Sequence, residues 1–301
     1  MAEKAFDQNE KIKVKVSEKN LQNHVQTLVS TPNFRNYRNI RSLNMAADYI
    51  KSTFQNSDLS VSEQRFYVEG NEYRNVIAKV GISNQKKVVV GAHYDVCGDQ
   101  PGADDNASGV AGLLELGRTL KIMERELAYE IELVAYTLEE PPYFRTKHMG
   151  SYNHAKLLKK NNEKIRAMLC FEMLGYYSDK KKSQQFPLGF MKAFYPSIGN
   201  FIGGVSNFRS RRIVKLFKIA MKKYTSLPCE TLTGPALIPG VDFSDHKNYW
   251  KFGYKAIMIT DTAFYRNPNY HSTSDTIDSL DFGKMALVVE GVTNLILSGR
   301  L

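Results

Sequence analysis

Apolar positions recur at helical spacing over Leu21 to Ser30 and Leu43 to Phe54, which predicts two amphipathic helices near the start of the chain. Short runs rich in Val, Ile and Leu follow. Asn75 to Val80, Lys87 to Ala92 and Glu130 to Tyr136 read as strands, and Ala167 to Phe171 and Ala256 to Thr260 as fully buried ones. Helical patterns separate them: Ala107 to Leu120, with small residues in its first turns, Lys147 to Lys159, Arg212 to Lys223 and a closing helix over Phe282 to Leu297.

Strands that alternate with helices imply an α/β fold. The expectation is a mixed, mainly parallel central sheet with helices on both faces, a three-layer sandwich. Ligands in such folds sit beyond the carboxyl ends of the strands, so functional residues are expected just after the strand runs. The segment 176–240 is less regular, with Gly199, Gly203, Gly204 and five prolines. It reads as an elaboration of one domain spanning 1–301, placed to shape a substrate pocket.

Length and composition fit this picture. The chain has 301 residues, 43% of them hydrophobic and 24% charged, so it can bury a large core without disulfides. Its three cysteines, Cys97, Cys170 and Cys229, form no disulfide framework and match no zinc-finger spacing. They read as free thiols acting as small apolar fillers. The net charge of +10 is spread out, its densest runs being Lys180-Lys181-Lys182 and Arg209-Ser210-Arg211-Arg212. That is a solvated basic surface, and no nucleic-acid partner is expected. Met1 to Val16 is polar and carries no signal-peptide run, and nowhere is there an apolar stretch of the roughly 18–20 residues a membrane span needs. The expectation is a soluble chain with no membrane partner. It would be cytoplasmic as the chain stands, and periplasmic or secreted if a leader has been removed.

Candidate chemistry gathers where the fold demands it. His93 and Asp95 follow the strand Lys87 to Ala92; two residues apart in extended chain, they share a face, and a carboxylate there can fix the tautomer of a metal-binding histidine. Asp104 and Asp105 precede a helix. Capping explains one of these acids, and a carboxylate shared by two cations explains the other. Glu139 and Glu140 end the strand Glu130 to Tyr136, where adjacent acids need a compensating charge. Glu172 emerges directly from an apolar strand, and His271 follows the strand that ends at Thr260. Each signal alone has an ordinary explanation. Together they bring five segments to one sheet edge with ligands that suit zinc, or manganese or cobalt in its place, in numbers sufficient for two ions. Such pairs lie about 3.5–4 Å apart.

The motifs Gly91-Ala92-His93-Tyr94-Asp95, Gly102-Ala103-Asp104-Asp105-Asn106-Ala107-Ser108-Gly109, Glu139-Glu140, Glu172-Met173-Leu174-Gly175, Ser244-Asp245-His246 and Tyr270-His271-Ser272 span most of the chain. In this order they resemble the co-catalytic zinc exopeptidases, a family that includes bacterial leucyl aminopeptidases, glutamate carboxypeptidase II and glutaminyl cyclases. The match is nearest to the bacterial zinc aminopeptidases. The resemblance implies one metal on His93, Asp105 and Glu172 and another on Asp105, Glu140 and His271. Asp95 would orient His93, Glu139 would be the general base, and the Asp105–Asn106 peptide would be cis. It implies Zn²⁺ as cofactor, two ions or one, and a peptide with a free N-terminus as substrate. Asp245, His246 and Tyr265 are candidates for contacting substrate or supporting the ligands. The chain departs from the pattern at Glu172, usually Asp, and at Pro141-Pro142, which is expected to stiffen the turn and reshape the specificity pocket. The expected activity is that of an aminopeptidase. The alternatives are a single-zinc glutaminyl cyclase and a non-catalytic binding protein on the same fold. The sequence leaves the oligomeric state open.

Overall fold

The computed structural model describes residues 15–82 and 86–301; the polar stretch read over Met1 to Val16 lies outside it up to residue 14. Two helices open the described chain, α1 (Glu18–Val29) and α2 (Ile40–Asn56). Leu21, Val25 and Leu28 form the buried stripe of α1, and the Ser17 side chain caps it by accepting the Asn20 N–H.

The strands are β1 (Ser60–Val68), β2 (Asn71–Val80), β3 (Lys87–His93), β4 (Glu130–Tyr136), β5 (Ile165–Glu172), β6 (Ile202–Ser206), β7 (Cys229–Thr233) and β8 (Ala256–Thr260). They form one sheet in the order β1-β2-β4-β3-β5-β8-β6-β7. Its centre, β4-β3-β5-β8, is parallel throughout. The β1–β2, β2–β4 and β8–β6 pairs are antiparallel, and β7 returns parallel to β6.

Alternation along the central strands builds two apolar layers. Val88, Val90, Leu133, Leu169 and Phe171 face one core, packed under α1, α2, α3 (Gly109–Ile122), α5 (Arg211–Tyr224) and α7 (Phe282–Leu297). Val89, Val134, Met168 and Cys170 face the other, packed under α4 (Gly150–Lys160) and α6 (His246–Lys251). This is the expected α/β sandwich, with a mainly parallel sheet covered on both faces. No helix among the described residues is long and apolar enough to cross a membrane.

Four elements escaped the hydrophobic pattern. Strand β1 is an edge strand whose burial alternates, so polar residues occupy half of it. Strands β6 and β7 span five residues each, and Gly203-Gly204 weakens the local preference in β6. Helix α6 is under two turns long. The 176–240 segment therefore supplies two strands to the same sheet.

Candidate metal centre

The four central strands deliver their ends to one place. His93 is the last residue of β3 and Glu172 the last of β5, while Glu139 and Glu140 follow β4 after Thr137 and Leu138. Three residues at this edge adopt the left-handed backbone that non-glycine residues avoid: Leu138 (φ 58°), Met173 (φ 55°) and His271 (φ 53°). Each costs on the order of 1–2 kcal/mol, and all three lie in or beside the cluster, where such strain is characteristically retained for function.

Asp105 sits at the middle of the cluster. The chain before α3 breaks from helix at Asp105 and Asn106, whose peptide is cis. Asn106 braces the break by donating to the Phe171 carbonyl (2.9 Å) and accepting from the N–H groups of Met173 (3.0 Å) and Gly109 (3.1 Å). Asp275 accepts the N–H groups of Asp104 (2.9 Å) and Asp105 (3.0 Å). Asp104 does not cap α3; it accepts from Gly175 N–H and Asn267 and ties the loop to two neighbouring segments.

From this position the two Asp105 oxygens face two histidines. Oδ1 lies 3.4 Å from His93 Nε2, and Oδ2 lies 3.1 Å from His271 Nε2. His93 Nε2 is also 3.4 Å from Glu172 Oε2, and His271 Nε2 is 3.3 Å from Glu140 Oε2. Direct charge-assisted hydrogen bonds run shorter, about 2.7–2.9 Å. Zinc bonds of about 2.0–2.1 Å place tetrahedral ligand atoms about 3.3 Å apart. The spacing thus fits donors arranged around a shared cation better than donors bonded to each other.

The electrostatics agree. Glu139, Glu140, Asp105, Glu172 and Asp245 are all buried beside only two imidazoles. Burial raises Glu139 well above the carboxylate range; His93 opposes the shift, while Glu140, Glu172 and Asp245 add to it. Burial, with Asp105 nearby, pushes Glu140 up to about 8. Burial would raise Asp105 too, but its contacts to His271 and His93 hold it below the ordinary value. Desolvation lowers His93 and His271, yet the surrounding carboxylates lift both well above the usual imidazole range. Asp105 Oδ1, Glu140 Oε1 and His271 Nε2 have no hydrogen-bond partner despite being buried. Divalent cations would satisfy these atoms and neutralise the excess of acids. Two of the donor groups around such positions are His93, Asp105 and Glu172, and Glu140, His271 and Cys97.

The remaining sequence candidates separate. Asp95 lies beside His93, 3.6 Å from Nδ1, but the shorter contact to that nitrogen, 3.2 Å, is made by the Asp95 main-chain carbonyl. Its carboxylate instead accepts the N–H groups of Glu139 (3.2 Å) and Glu140 (3.1 Å). Asp245 joins the cluster: it is fully buried, burial raises it to about 7, and His93 and Glu172 are among the charges it feels. His246 does not join it. Its Nε2–H donates to the Val241 carbonyl at 2.8 Å and its ring packs edge-on against Trp250, the surroundings of a helix start. Tyr265 lines the adjoining pocket and donates to the Pro239 carbonyl.

Sequence reading missed three neighbours. Ser244 donates to Glu172 Oε2 at 2.6 Å. Tyr270 stacks on His271, with ring centroids 3.8 Å apart. Cys97, four residues beyond His93, shares a donor group with Glu140 and His271, which corrects its reading as an apolar filler. Cys170 and Cys229 are buried, and all three thiols are free.

An apolar pocket of about 810 Å³, its open mouth included, begins at Glu172. Phe186, Met191, Tyr195, Val205, Phe243 and Tyr265 are among its walls. Gly203 and Val205 are two apart on β6 and share its inner face, so the glycine leaves depth where a side chain would stand. Pro141 and Pro142, joined by a cis peptide, are not themselves part of this lining, but Phe144 and Arg145 of the same turn pack against the pocket wall Phe243.

Residues 75–296 match the model of peptidase family M28. The protein YfbL of Escherichia coli (strain K12) is 42% identical over 292 residues, covering 94% of this chain and 89% of its own. Two solved structures from Bacteroides thetaiotaomicron share the fold, each 17% identical and covering 94% of this chain. A leucine aminopeptidase precursor aligns with a TM-score of 0.71 over 97% of its chain. A glutaminyl cyclase bound to N-acetylhistamine aligns with a TM-score of 0.68 over 98% of its chain.

Proposed function

The chain belongs to peptidase family M28, and from that premise we propose that it is a two-metal aminopeptidase that removes large apolar residues from peptide N-termini. One observation carries the reading: the two oxygens of Asp105 face His93 and His271 on separate sides, each pairing completed by a further glutamate. A single-metal centre uses Asp105, Glu140 and His271 and leaves the His93–Glu172 pair without a task.

In this reading His93, Asp105 and Glu172 hold one zinc ion, and Asp105, Glu140 and His271 hold the other. Bound there, the ions supply Lewis acidity that acidifies water and polarises the scissile carbonyl. Glu139 lies beside the cluster, 4.0 Å from His93 Nε2 and grouped with His93 and Glu140, and in this reading it is left free of both ions to act as the base. Its carboxylate takes the proton of the attacking water and returns it to the leaving amine. Asp95 sets the direction of Glu139 and Glu140 through their backbone N–H groups. The pocket beyond Glu172 takes the first side chain of the peptide, and its aromatic walls favour bulky apolar residues. We place the whole chain in one catalytic domain, with 176–240 supplying much of the pocket and the segment after β8 adding to its walls.

The test is metal analysis together with turnover of a panel of aminoacyl-anilides, with and without chelator, and of a peptide beginning with glutamine. Two ions per chain and chelator-sensitive release of Phe or Leu support the reading. One ion with cyclisation of the glutamine peptide replaces it with the glutaminyl-cyclase reading.

A further inference from the structure

The two ligand groups are not chemically equal. Around His93 the donors are one imidazole and two carboxylates, and around His271 the same set is joined by sulfur. The sulfur atom of Cys97, a carboxylate oxygen of Glu140 and a ring nitrogen of His271 lie within 4.8 Å of one another. A cysteine near a site means little alone. Here it stands beside Glu140, whose Oε1 is buried and unpartnered. Asp105 Oδ2 and Glu140 Oε2 lie 3.1 and 3.3 Å from His271 Nε2.

We propose that Cys97 is a further protein donor to the cation that Asp105, Glu140 and His271 would hold, giving a set of one nitrogen, two oxygens and one sulfur that leaves the ion a further position for water. This rests on the two-metal reading above. As the sulfur–metal bond forms, the thiol proton leaves to solvent and Cys97 binds as the thiolate. The consequence is an asymmetric centre. Thiolate favours thiophilic ions, so the His271 position selects zinc, cadmium or cobalt, whereas the His93 position, with nitrogen and oxygen only, also accepts manganese. Cys97 is partly exposed, in contrast to the buried Cys170 and Cys229, so its thiol can be followed separately.

The experiment uses the full chain, freed of metal and then loaded with Zn²⁺ or Co²⁺, with metal content measured in every sample. An aromatic disulfide reagent titrates accessible thiols. The metal-free protein should show one fast-reacting thiol that the zinc-loaded protein loses. The cobalt-loaded protein should show a near-ultraviolet sulfur-to-cobalt charge-transfer band that is absent from Cys97→Ser. If the loaded protein contains metal yet its thiol reacts at the metal-free rate, or if the band is missing or survives in Cys97→Ser, the proposal is overturned while the two-metal reading stands. If no metal is taken up, both fall. The titration of the unaltered chain decides the matter even where Cys97→Ser fails to load or fold.

Discussion

The carboxylate of Asp95 accepts the backbone N–H of Glu140 at 3.1 Å, and its other oxygen accepts that of Glu139 at 3.2 Å. One side chain beyond β3 thus fixes the turn beyond β4. The two strands are paired in parallel up to His93 and Tyr136, so the carboxylate extends their register past the last ladder bond. Both glutamates inherit their direction from it, one toward the His271 group and one toward the water-facing side.

Replacing Asp95 by Asn leaves a single amide oxygen to serve two N–H donors and places an NH₂ group against the second. Support of this kind is worth about 10–100-fold in metal affinity or activity. The expected result is a loss of that size in kcat/KM with the fold intact by circular dichroism. Unchanged kcat and unchanged metal retention during dialysis in Asp95→Asn would contradict the assignment.

Glu139→Gln keeps the shape of the side chain and removes its basicity. General-base catalysis contributes about 10²–10⁴-fold, so kcat should fall by that range on any anilide substrate. Metal content should not change, because Glu139 is not assigned to either ion. Metal lost together with activity would reassign it as a ligand.

The cation-free protein should lose stability as pH rises from about 6.5 to 8. Burial pushes Glu140 up to about 8 and Asp245 and Asp275 up to about 7. His93 and His271, lifted by their carboxylate neighbours, act in the same direction. In this window the folded chain holds protons that the unfolded chain has released, so each unit of pH favours unfolding. His24 and His246, lowered chiefly by burial, oppose the trend only near the start of this window, where the unfolded imidazoles still hold protons, and Glu132, drawn down to about 2 by His154 and Lys87 against its burial, is ionised throughout. Bound zinc displaces the extra protons. The Tm gain on adding zinc should therefore grow with pH, which differential scanning calorimetry with and without chelator reads directly. A chelated protein whose Tm climbs across the same window would refute this.

Val205→Phe places an aromatic ring on the pocket face of β6 beside Gly203. Filling that space should penalise a Phe-anilide relative to an Ala-anilide. A change of even one methylene in an apolar pocket shifts selectivity about 10–200-fold, and the ratio of the two kcat/KM values should move by at least the lower figure. An unaltered ratio would separate this pocket from the first residue of the substrate.

Most of the fold was written in periodicity that packing later confirmed. The strands under both helical layers, β3, β4, β5 and β8, are continuous apolar runs because both of their faces are buried, and such runs are visible without a structure. Strands β1, β6 and β7 were not, since one is half polar at an edge and the others are held by ladder bonds despite glycine and threonine. The cluster was legible because its acids and histidines interrupt those same apolar runs. What could not be read was orientation. Asp95 lies beside His93 in sequence but spends its carboxylate on Glu139 and Glu140, and Cys97 meets His271 from a segment far away in the chain. His246, two residues from Ser244, faces Trp250 instead.

Glu172 stands where the resemblance in the motifs predicts aspartate, and the structure shows how the longer side chain is used. It ends β5, reaches to 3.4 Å from His93 Nε2, and receives the Ser244 hydroxyl at 2.6 Å on the same oxygen. Ser244 is itself fixed by contact with Cys170 at 3.1 Å, so the carboxylate is aimed from the adjoining layer. Glu172→Asp withdraws the oxygen by one carbon–carbon bond, about 1.5 Å, and β5, paired on both sides, does not follow. Aspartate should therefore fail here. The expected outcome is loss of the ion on the His93 side, with metal content dropping from two to one per chain, while the Asp105, Glu140 and His271 position stays filled. Activity should fall with it. Ser244→Ala, which removes only the hydroxyl, should weaken the same ion without abolishing its binding. Full occupancy of both positions in Glu172→Asp would show that the strand end adapts and that the extra methylene has no structural role.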